Sequence, residues 1–164
     1  FYIPALGIIG GKAAMLNYED VSLYSGGGGL VSTAADYMRF SEMLRNKGRF
    51  GERQILSPKT VKYMTINHLS LIKAPVGSGE SPTSAIFQGA GFGLGFGVVV
   101  DPVAQASLGS RGTFMWGGAA GTVFWVDPVE DIVVIAMIQM IGGALSLRED
   151  LGIATYQAII DSHE

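Results

Sequence analysis

The stretch from Gly91 to Val98 constrains the fold most, because glycine alternates there with a larger apolar residue at every step. Only an extended chain puts alternate residues on opposite faces, so the pattern predicts one continuous strand with a bare face. A strand without side chains on one face usually has a neighbour packed closely against its backbone. We therefore expect a β-sheet in this half of the chain, with a close contact over the glycines.

Three more segments have the composition of strands, at Thr113–Trp116, Thr122–Val126 and Ile132–Met140. A short turn-forming segment, residues 127–131, joins the last two, which predicts an antiparallel hairpin. The last segment is apolar on both faces, and this pattern predicts a central strand that is covered on both sides.

Helices are expected on either side of this strand region. Thr33 and Asp36 are typical of a helix start, and an inward face is predicted at Tyr37, Phe40, Met43 and Leu44. Ser57 and Pro58 predict a second helix. Ser146 and Glu149 form a capping box before a third helix, with an inward face predicted at Leu151, Ala154, Ile159 and Ile160. The fold class is therefore α/β of the α+β type, a mostly antiparallel sheet of about four strands flanked by helices.

The composition excludes several classes of function. The chain has 11 basic and 14 acidic residues, a net charge of −3, and no basic block that would bind nucleic acid. It has no cysteine, which excludes disulfides, thiolate catalysis and cysteine-ligated metals. Its longest apolar run, residues 132–141, is about half the roughly 20 residues of a membrane span. A cytoplasmic and a periplasmic location both remain open.

The high apolar fraction bears on whether residues 1–164 are a complete domain. Apolar residues make up 48% of the chain and charged residues 15%, against the usual ~25% charged. So little polar surface is unusual for a free-standing domain. We expect residues 1–164 to be a single partial domain.

Common catalytic and cofactor motifs fit the chain poorly. The glycine-rich segments do not lead into a nucleotide-binding helix, and His68 and His163 lie near no acidic cluster, so neither a cofactor nor a metal is expected. Ser70 and Lys73 match the Ser-x-x-Lys pattern, which requires both side chains on one buried helix face. Pro75 disfavours a helix there, and residues 70–89 have the composition of a surface loop.

Trp116, Gly117 and Gly118 form the most informative local motif. A strand that ends in this sequence offers an aromatic wall and unobstructed backbone N–H groups that could stabilise an oxyanion. Alternatively, Trp116 belongs to the core and the glycines form a turn. The residues alone leave both interpretations open.

The order of the segments resembles the serine β-lactamase-like superfamily, which includes class C β-lactamases, D-alanyl-D-alanine peptidases and family VIII carboxylesterases. The matching segments are SGGGGLVSTAADY at residues 25–37, ILSPKTV at 55–61, GFGLGF at 91–96 and WGG at 116–118. In that family the last position carries the third active-site motif. The resemblance implies the C-terminal half of a β-lactamase/transpeptidase-like domain.

The resemblance also implies what the chain lacks. The family's helical Ser-x-x-Lys and its Tyr-x-Asn motif precede the segments matched here, so the nucleophilic serine, the lysine and the tyrosine are absent. Ser70 follows the glycine-rich segment, which is the wrong order for the family. We expect the parent protein to be an enzyme and this chain to be inactive alone, with the N-terminal half of the enzyme or a second copy as its partner.

By resemblance, Trp116, Gly117 and Gly118 would line the substrate cleft, and the backbone N–H of Ala119 would be one oxyanion donor. The implied function is a serine hydrolase that forms an acyl-serine on a small-molecule ester or amide. Tryptophan in place of the lactamase lysine favours esters, because a lactam carboxylate would lose its cation. A true β-lactamase or peptidase, and a non-catalytic binding or sensor relative, remain alternatives.

Overall fold

The computed structural model describes residues 2–3, 7–8, 24, 26–69, 89–140 and 145–163. Ser70, Lys73 and most of the predicted surface loop lie outside these residues. The elements in chain order are β1 (Tyr2–Ile3), β2 (Gly7–Ile8), α1 (Ala34–Arg45), β3 (Arg49–Phe50), β4 (Arg53–Gln54), α2 (Pro58–Met64), β5 (Ala90–Phe92), β6 (Gly97–Val99), β7 (Phe114–Gly117), β8 (Val123–Asp127), β9 (Ile132–Ala136) and α3 (Leu145–Gln157).

The main sheet is antiparallel and has five strands in the order β5-β6-β7-β8-β9, so each strand pairs with its neighbour in sequence. The predicted hairpin of the last two strands is confirmed, with Phe124 opposite Ile135. Strand β7 pairs with the other side of β8, where Trp116 lies opposite Phe124. The α+β class is confirmed.

The glycine-alternating stretch is a hairpin rather than the single strand that was predicted. Its two arms, β5 and β6, pair with each other, and Phe92 lies opposite Gly97. Gly95 has a φ of +92°, which a residue with a Cβ rarely adopts, and it closes the turn between the arms. Alternation alone does not distinguish a long strand from two short ones joined through a glycine.

The prediction of a close contact over the glycines is confirmed. A Cβ on Gly91 would overlap the Asn67 side chain, and one on Gly93 would overlap the backbone carbonyl of Met64. Asn67 also accepts a hydrogen bond from the Phe92 N–H at 3.2 Å. The bare face of the hairpin therefore receives the chain that leaves α2.

The prediction of a central position for the last strand is wrong for the described residues. Within them, β9 pairs only with β8 and forms an edge of the sheet. Its five residues are all half-buried, because α1 covers one of its faces. The apolar residues on both faces of β9 predicted that both faces are buried. Within the described residues, β9 is only half-buried.

Helix α1 begins as predicted, with the Thr33 hydroxyl accepting a hydrogen bond from the Asp36 N–H at 3.1 Å. Met43 and Leu44 are buried, but Phe40 is 38% exposed, so its predicted inward orientation is wrong. Ser41 takes a fully buried position on the same helix. Helix α2 also begins as predicted at Pro58, with Ser57 as its cap.

The third helix is confirmed, but its predicted bounds are not. It begins at Leu145, one residue before the serine expected to cap it, and ends at Gln157. Ile159 and Ile160 therefore lie beyond the helix, and Ile160 is 92% exposed. Ala154, also predicted to face inward, is exposed.

The core lies between the two helices α1 and α2 and one face of the sheet. The buried apolar residues of this cluster are Met43, Leu44, Val61, Phe96, Val98, Phe114, Phe124 and Val126. The Tyr37 ring packs edge-on against Phe124 at a centroid distance of 4.9 Å. This packing fixes α1 against the middle of the sheet.

A buried carboxylate joins the sheet to α3. The side chain of Asp127 is fully buried and accepts hydrogen bonds from the Ser110 N–H and the Tyr156 hydroxyl, both at 2.9 Å. The N–H groups of Val129 and Glu130 donate to its other oxygen. Burial raises the pKa of Asp127, but these hydrogen bonds outweigh it and hold the pKa below its ordinary value.

We predict that Tyr156→Phe lowers the free energy of unfolding by about 1.5–3 kcal/mol at neutral pH, because a hydrogen bond to a buried carboxylate is lost. The lowered pKa means that the stabilisation is present above the ordinary aspartate pKa of about 4. It disappears as the pH falls through the folded-state pKa of Asp127. Urea titrations between pH 3 and 7 would measure the difference.

Tyr63→Phe is the matched control for that substitution, because the Tyr63 side chain is 59% exposed. Its effect should stay within about 0.5 kcal/mol at every pH. Equal effects of the two substitutions would show that the hydroxyl of Tyr156 does not stabilise the fold.

Candidate functional site

The Trp-Gly-Gly sequence lies where β7 extends past its neighbour β6. Strand β6 pairs with β7 only as far as Met115, opposite Gly97. On the other side β7 stays attached to β8, through the pair of Gly117 with Val123 and a hydrogen bond from the Gly118 N–H to the Thr122 carbonyl at 2.9 Å. One backbone edge therefore becomes available while the other keeps the strand in place.

Trp116 is not a core residue in this structure. Its side chain is 46% exposed and packs edge-on against Phe92, with ring centroids 5.0 Å apart. A Cβ on Gly97 would meet the Trp116 ring at 3.6 Å, so the ring lies over that glycine. Of the two interpretations left open by the sequence, the geometry favours an aromatic wall.

A cavity of about 340 Å³ lies beside this wall. It has no charged residue among its described lining, which comes from the glycine-rich segment, α1 and strands β7 to β9. The lining residues are Gly27, Leu30, Ser32, Tyr37, Trp116, Gly117, Gly118, Thr122, Val123, Phe124, Ile135 and Met137. Its volume is at the lower end of the range for small-molecule sites.

Ala119 directly follows the glycines and is exposed. Within residues 89–140 and the other described ranges, no acceptor takes a hydrogen bond from its N–H, whereas the neighbouring Gly118 and Gly121 N–H groups are both paired. An accessible backbone N–H with no partner can bind an oxygen that carries developing negative charge. This geometry is compatible with the expected role of Ala119.

Arg148 lies against Gly117, a contact that the sequence did not suggest. A Cβ on Gly117 would overlap a guanidinium nitrogen of Arg148 and lie 3.0 Å from its Cζ. Within the described chain the three ion pairs involve other residues, so Arg148 has no acidic partner. Gly117 therefore leaves space beside the strand, and the Arg148 guanidinium occupies it.

Tyr37 is the second residue whose place the sequence did not reveal. Its periodic position predicted a core residue, yet it packs on the core and also lines the cavity. Burial raises the pKa of its phenol above the ordinary value, so the group is neutral at physiological pH. Spacing along one helix cannot show that a cavity opens beside its inward face.

A second cavity, of about 600 Å³, lies on the α3 side of the sheet. Its described lining includes Arg148, Trp125 and Ile153, but not Trp116 or the two glycines of the motif, so Arg148 lies on the side of β7 that faces this second cavity. No group of three or more histidine or acidic residues in the described ranges could hold a metal ion. No described helix has the length and apolar character that crossing a bilayer requires.

Comparison with known proteins identifies relatives across most of the chain. The family model described as Beta-lactamase matches residues 6–151. Protein Rv1367c of Mycobacterium tuberculosis is 38% identical over 128 residues, which cover 72% of this chain and 29% of that protein. The protein MT1414 of a second strain matches equally well. This chain therefore spans less than a third of the length of these relatives.

Solved structures share the fold. EstCE1, a hydrolase with promiscuous acyltransferase activity, matches with a TM-score of 0.58 and 30% identity, over 76% of this chain and 29% of that one. Simvastatin synthase (LovD) from Aspergillus terreus matches with a TM-score of 0.56 and 20% identity, over 76% of this chain and 34% of that one. At that identity the second likeness concerns the fold alone.

We predict that Gly117→Ala destabilises the protein by about 1 kcal/mol, because the new methyl group would lie 3.0 Å from the Thr122 carbonyl oxygen, which cannot move away as the exposed end of Arg148 can. The part of the cost that comes from moving the guanidinium should disappear when Arg148→Ala is present. Thermal and urea unfolding of the single and double variants would give this coupling.

Gly152→Ala is the matched control, since Gly152 lies within α3 and nothing would lie within 4 Å of its Cβ. In a helix this change should stabilise by roughly 0.5–1 kcal/mol. An equal cost of Gly117→Ala with and without Arg148 would mean that the cost comes from the Thr122 carbonyl and not from the guanidinium.

Proposed function

We propose, from the premise that this chain belongs to the β-lactamase family, that it supplies the oxyanion-binding strand of a serine hydrolase. The proposed enzyme forms an acyl-serine intermediate and acts on small-molecule esters. The observation that carries the proposal is the exposed residue Ala119 after the Trp-Gly-Gly sequence, whose N–H has no acceptor within the described part of the chain. EstCE1, a hydrolase with promiscuous acyltransferase activity, performs the same kind of chemistry.

The proposed reaction places negative charge on the substrate carbonyl oxygen. A serine Oγ attacks the carbonyl carbon, its proton passes to a base, and the C=O π electrons move to the oxygen. When the tetrahedral adduct collapses, the alcohol leaves with a proton and the acyl group stays on serine; water then releases the acid. The Ala119 N–H would stabilise the charged oxygen in both steps.

We further propose that residues 1–164 are a partial domain and that the serine, its lysine and the tyrosine lie elsewhere in the enzyme. The chain spans 29% of Rv1367c and of EstCE1, which leaves room for those motifs in proteins of that size. Among residues 24, 26–69, 89–140 and 145–163, no strand pairs with the outer edge of β9, and this supports the same proposal because an apolar edge strand within one domain is normally covered. The partner is then the N-terminal half of the enzyme or a second copy.

A β-lactam or peptide substrate is the second candidate, and Arg148 is the observation that favours it. Its guanidinium, without an acidic partner in the described chain, could bind a substrate carboxylate beside Gly117. Both substrate classes need the same oxyanion donor. Hydrolysis of a p-nitrophenyl ester and of a chromogenic cephalosporin, measured in parallel, separates them.

We predict that Ala119→Pro in the whole enzyme lowers kcat by about 10²–10³, because proline has no N–H to donate. Ala119→Ser retains the backbone N–H and should keep activity near that of the wild type. Steady-state kinetics with both chromogenic substrates, together with melting curves of both variants, provide the measurement. Full activity of a proline variant with an unchanged melting temperature would exclude Ala119 as the donor.

We also predict that the 164-residue chain alone does not hydrolyse p-nitrophenyl esters, because it contains no nucleophile and base in the family's order. Mixing it with the rest of the enzyme should restore turnover. Hydrolysis by the purified chain that Ser70→Ala abolishes would instead identify Ser70 as the nucleophile and overturn the proposed division of the site.

A further inference from the structure

Three separate elements enclose the cavity beside Trp116. Tyr37 reaches it from α1, Trp116 belongs to β7, and Met137 directly follows β9. We infer that Tyr37 and Met137 determine which acyl groups the enzyme accepts, and that the cavity binds an uncharged, apolar acyl group of moderate size. This inference rests on the proposed function, since it names the substrate class of the same site.

The chemistry of the lining indicates an uncharged group. The described lining has no acidic or basic side chain, and its polar side chains are the hydroxyls of Ser32, Tyr37 and Thr122. A charged group would lose its hydration there without gaining an opposite charge. An apolar group would instead gain by leaving water against Trp116, Phe124 and Ile135.

The position of the cavity indicates the acyl side of the ester. Gly117 and Gly118 belong to its lining, and Ala119, the proposed donor to the carbonyl oxygen, is the next residue. The acyl carbon chain begins at that carbonyl carbon and stays bound through both steps. A cavity lined by the two residues that precede the proposed donor therefore suits the part of the substrate that the enzyme holds longest.

Tyr37 can act as a rigid wall because two rings hold it. Its own ring packs edge-on against Phe124 at 4.9 Å and against Phe40 at 5.6 Å. Its hydroxyl makes no hydrogen bond to any residue in the described ranges. Met137 differs, because it is 42% exposed, whereas Tyr37 packs on the core. The two residues therefore give the cavity one rigid wall and one exposed wall.

The test compares p-nitrophenyl butyrate with p-nitrophenyl octanoate in the whole enzyme. Tyr37→Ala and Met137→Ala should each raise the ratio of kcat/KM for octanoate over butyrate by about tenfold, a typical effect of a methylene or more in an apolar pocket. Tyr37→Phe keeps the ring and should leave the ratio within twofold. Met137→Ala keeps the test valid if Tyr37→Ala, which removes a core contact, fails to fold.

Met38→Ala is the matched control for Met137→Ala. Met38 is 37% exposed, next to Tyr37 on the same helix, and absent from the described lining of the cavity. The ratio should stay within twofold of the wild type. A ratio that shifts as much in Met38→Ala as in Met137→Ala would overturn the inference.

A second series varies the alcohol at constant acyl group, with ethyl and octyl butyrate. A changed preference in this series, with none in the acyl series, would assign the cavity to the alcohol and overturn the inference while the proposed function stands. Unchanged preferences in both series would overturn it as well.

If the enzyme hydrolyses no ester, the proposed function fails and binding decides the inference separately. Octanamide and butanamide mimic the acyl groups without being cleaved, and isothermal titration calorimetry measures their affinities. Met137→Ala should improve the affinity for octanamide relative to butanamide by about tenfold. Equal affinities in the variant and the wild type would overturn the inference.

Discussion

Burial of β8 is the constraint on which the rest of the structure depends. All five of its residues are buried, and it has a paired strand on each side. Its two faces carry different chemistry. Phe124 and Val126 belong to the apolar core with α1, while Asp127 ends the strand with a buried carboxylate that binds Tyr156 of α3. Unpaired, that carboxylate would cost several kcal/mol, so its donors must hold α3 and the Ser110 turn in place.

The candidate site depends on the same strand. Past Met115, β7 loses its contact with β6 but remains paired with β8, so Trp116 and Gly117 sit on a backbone that is fixed from one side only. The paired side supplies rigidity. Ala119 lies in the turn that follows β7, and the hydrogen bond from the Gly121 N–H to the Gly118 carbonyl holds that turn against the end of the strand. Arg148 reaches this strand from α3, whose place depends on the Asp127 hydrogen bonds.

The sequence predicted elements well and their spatial relations less well. Caps at Thr33 and Ser57 located two helix starts, because a cap is a contact between residues that are close in sequence. The predictions of one continuous strand through Gly95 and of a central position for β9 were wrong, since periodicity describes the faces of an element and not its neighbours. Trp116, Gly117 and Gly118 were identified as a motif, and they line one cavity. Tyr37 lies 79 positions before Trp116, and no local pattern connects the two.

Gly117 illustrates why part of the site was beyond sequence reasoning. Its expected role was to keep side chains clear of the backbone, and the structure fills the vacated space with the guanidinium of Arg148. Because Gly117 has no side chain, a side chain of α3 lies in that space. This side chain places a positive charge beside a strand segment that has none of its own. In the sequence, Arg148 lies inside an apparent capping box. A basic residue at such a position is expected to face solvent on the first turn of a helix, so it does not by itself indicate a site. The contact between β7 and α3 suggests a second explanation for Arg148. A cation next to an accessible backbone edge can favour acidic substrates over neutral ones. The two substrate classes proposed above therefore correspond to two surfaces of one strand: the cavity without charged described lining beside Trp116 and the cation against Gly117.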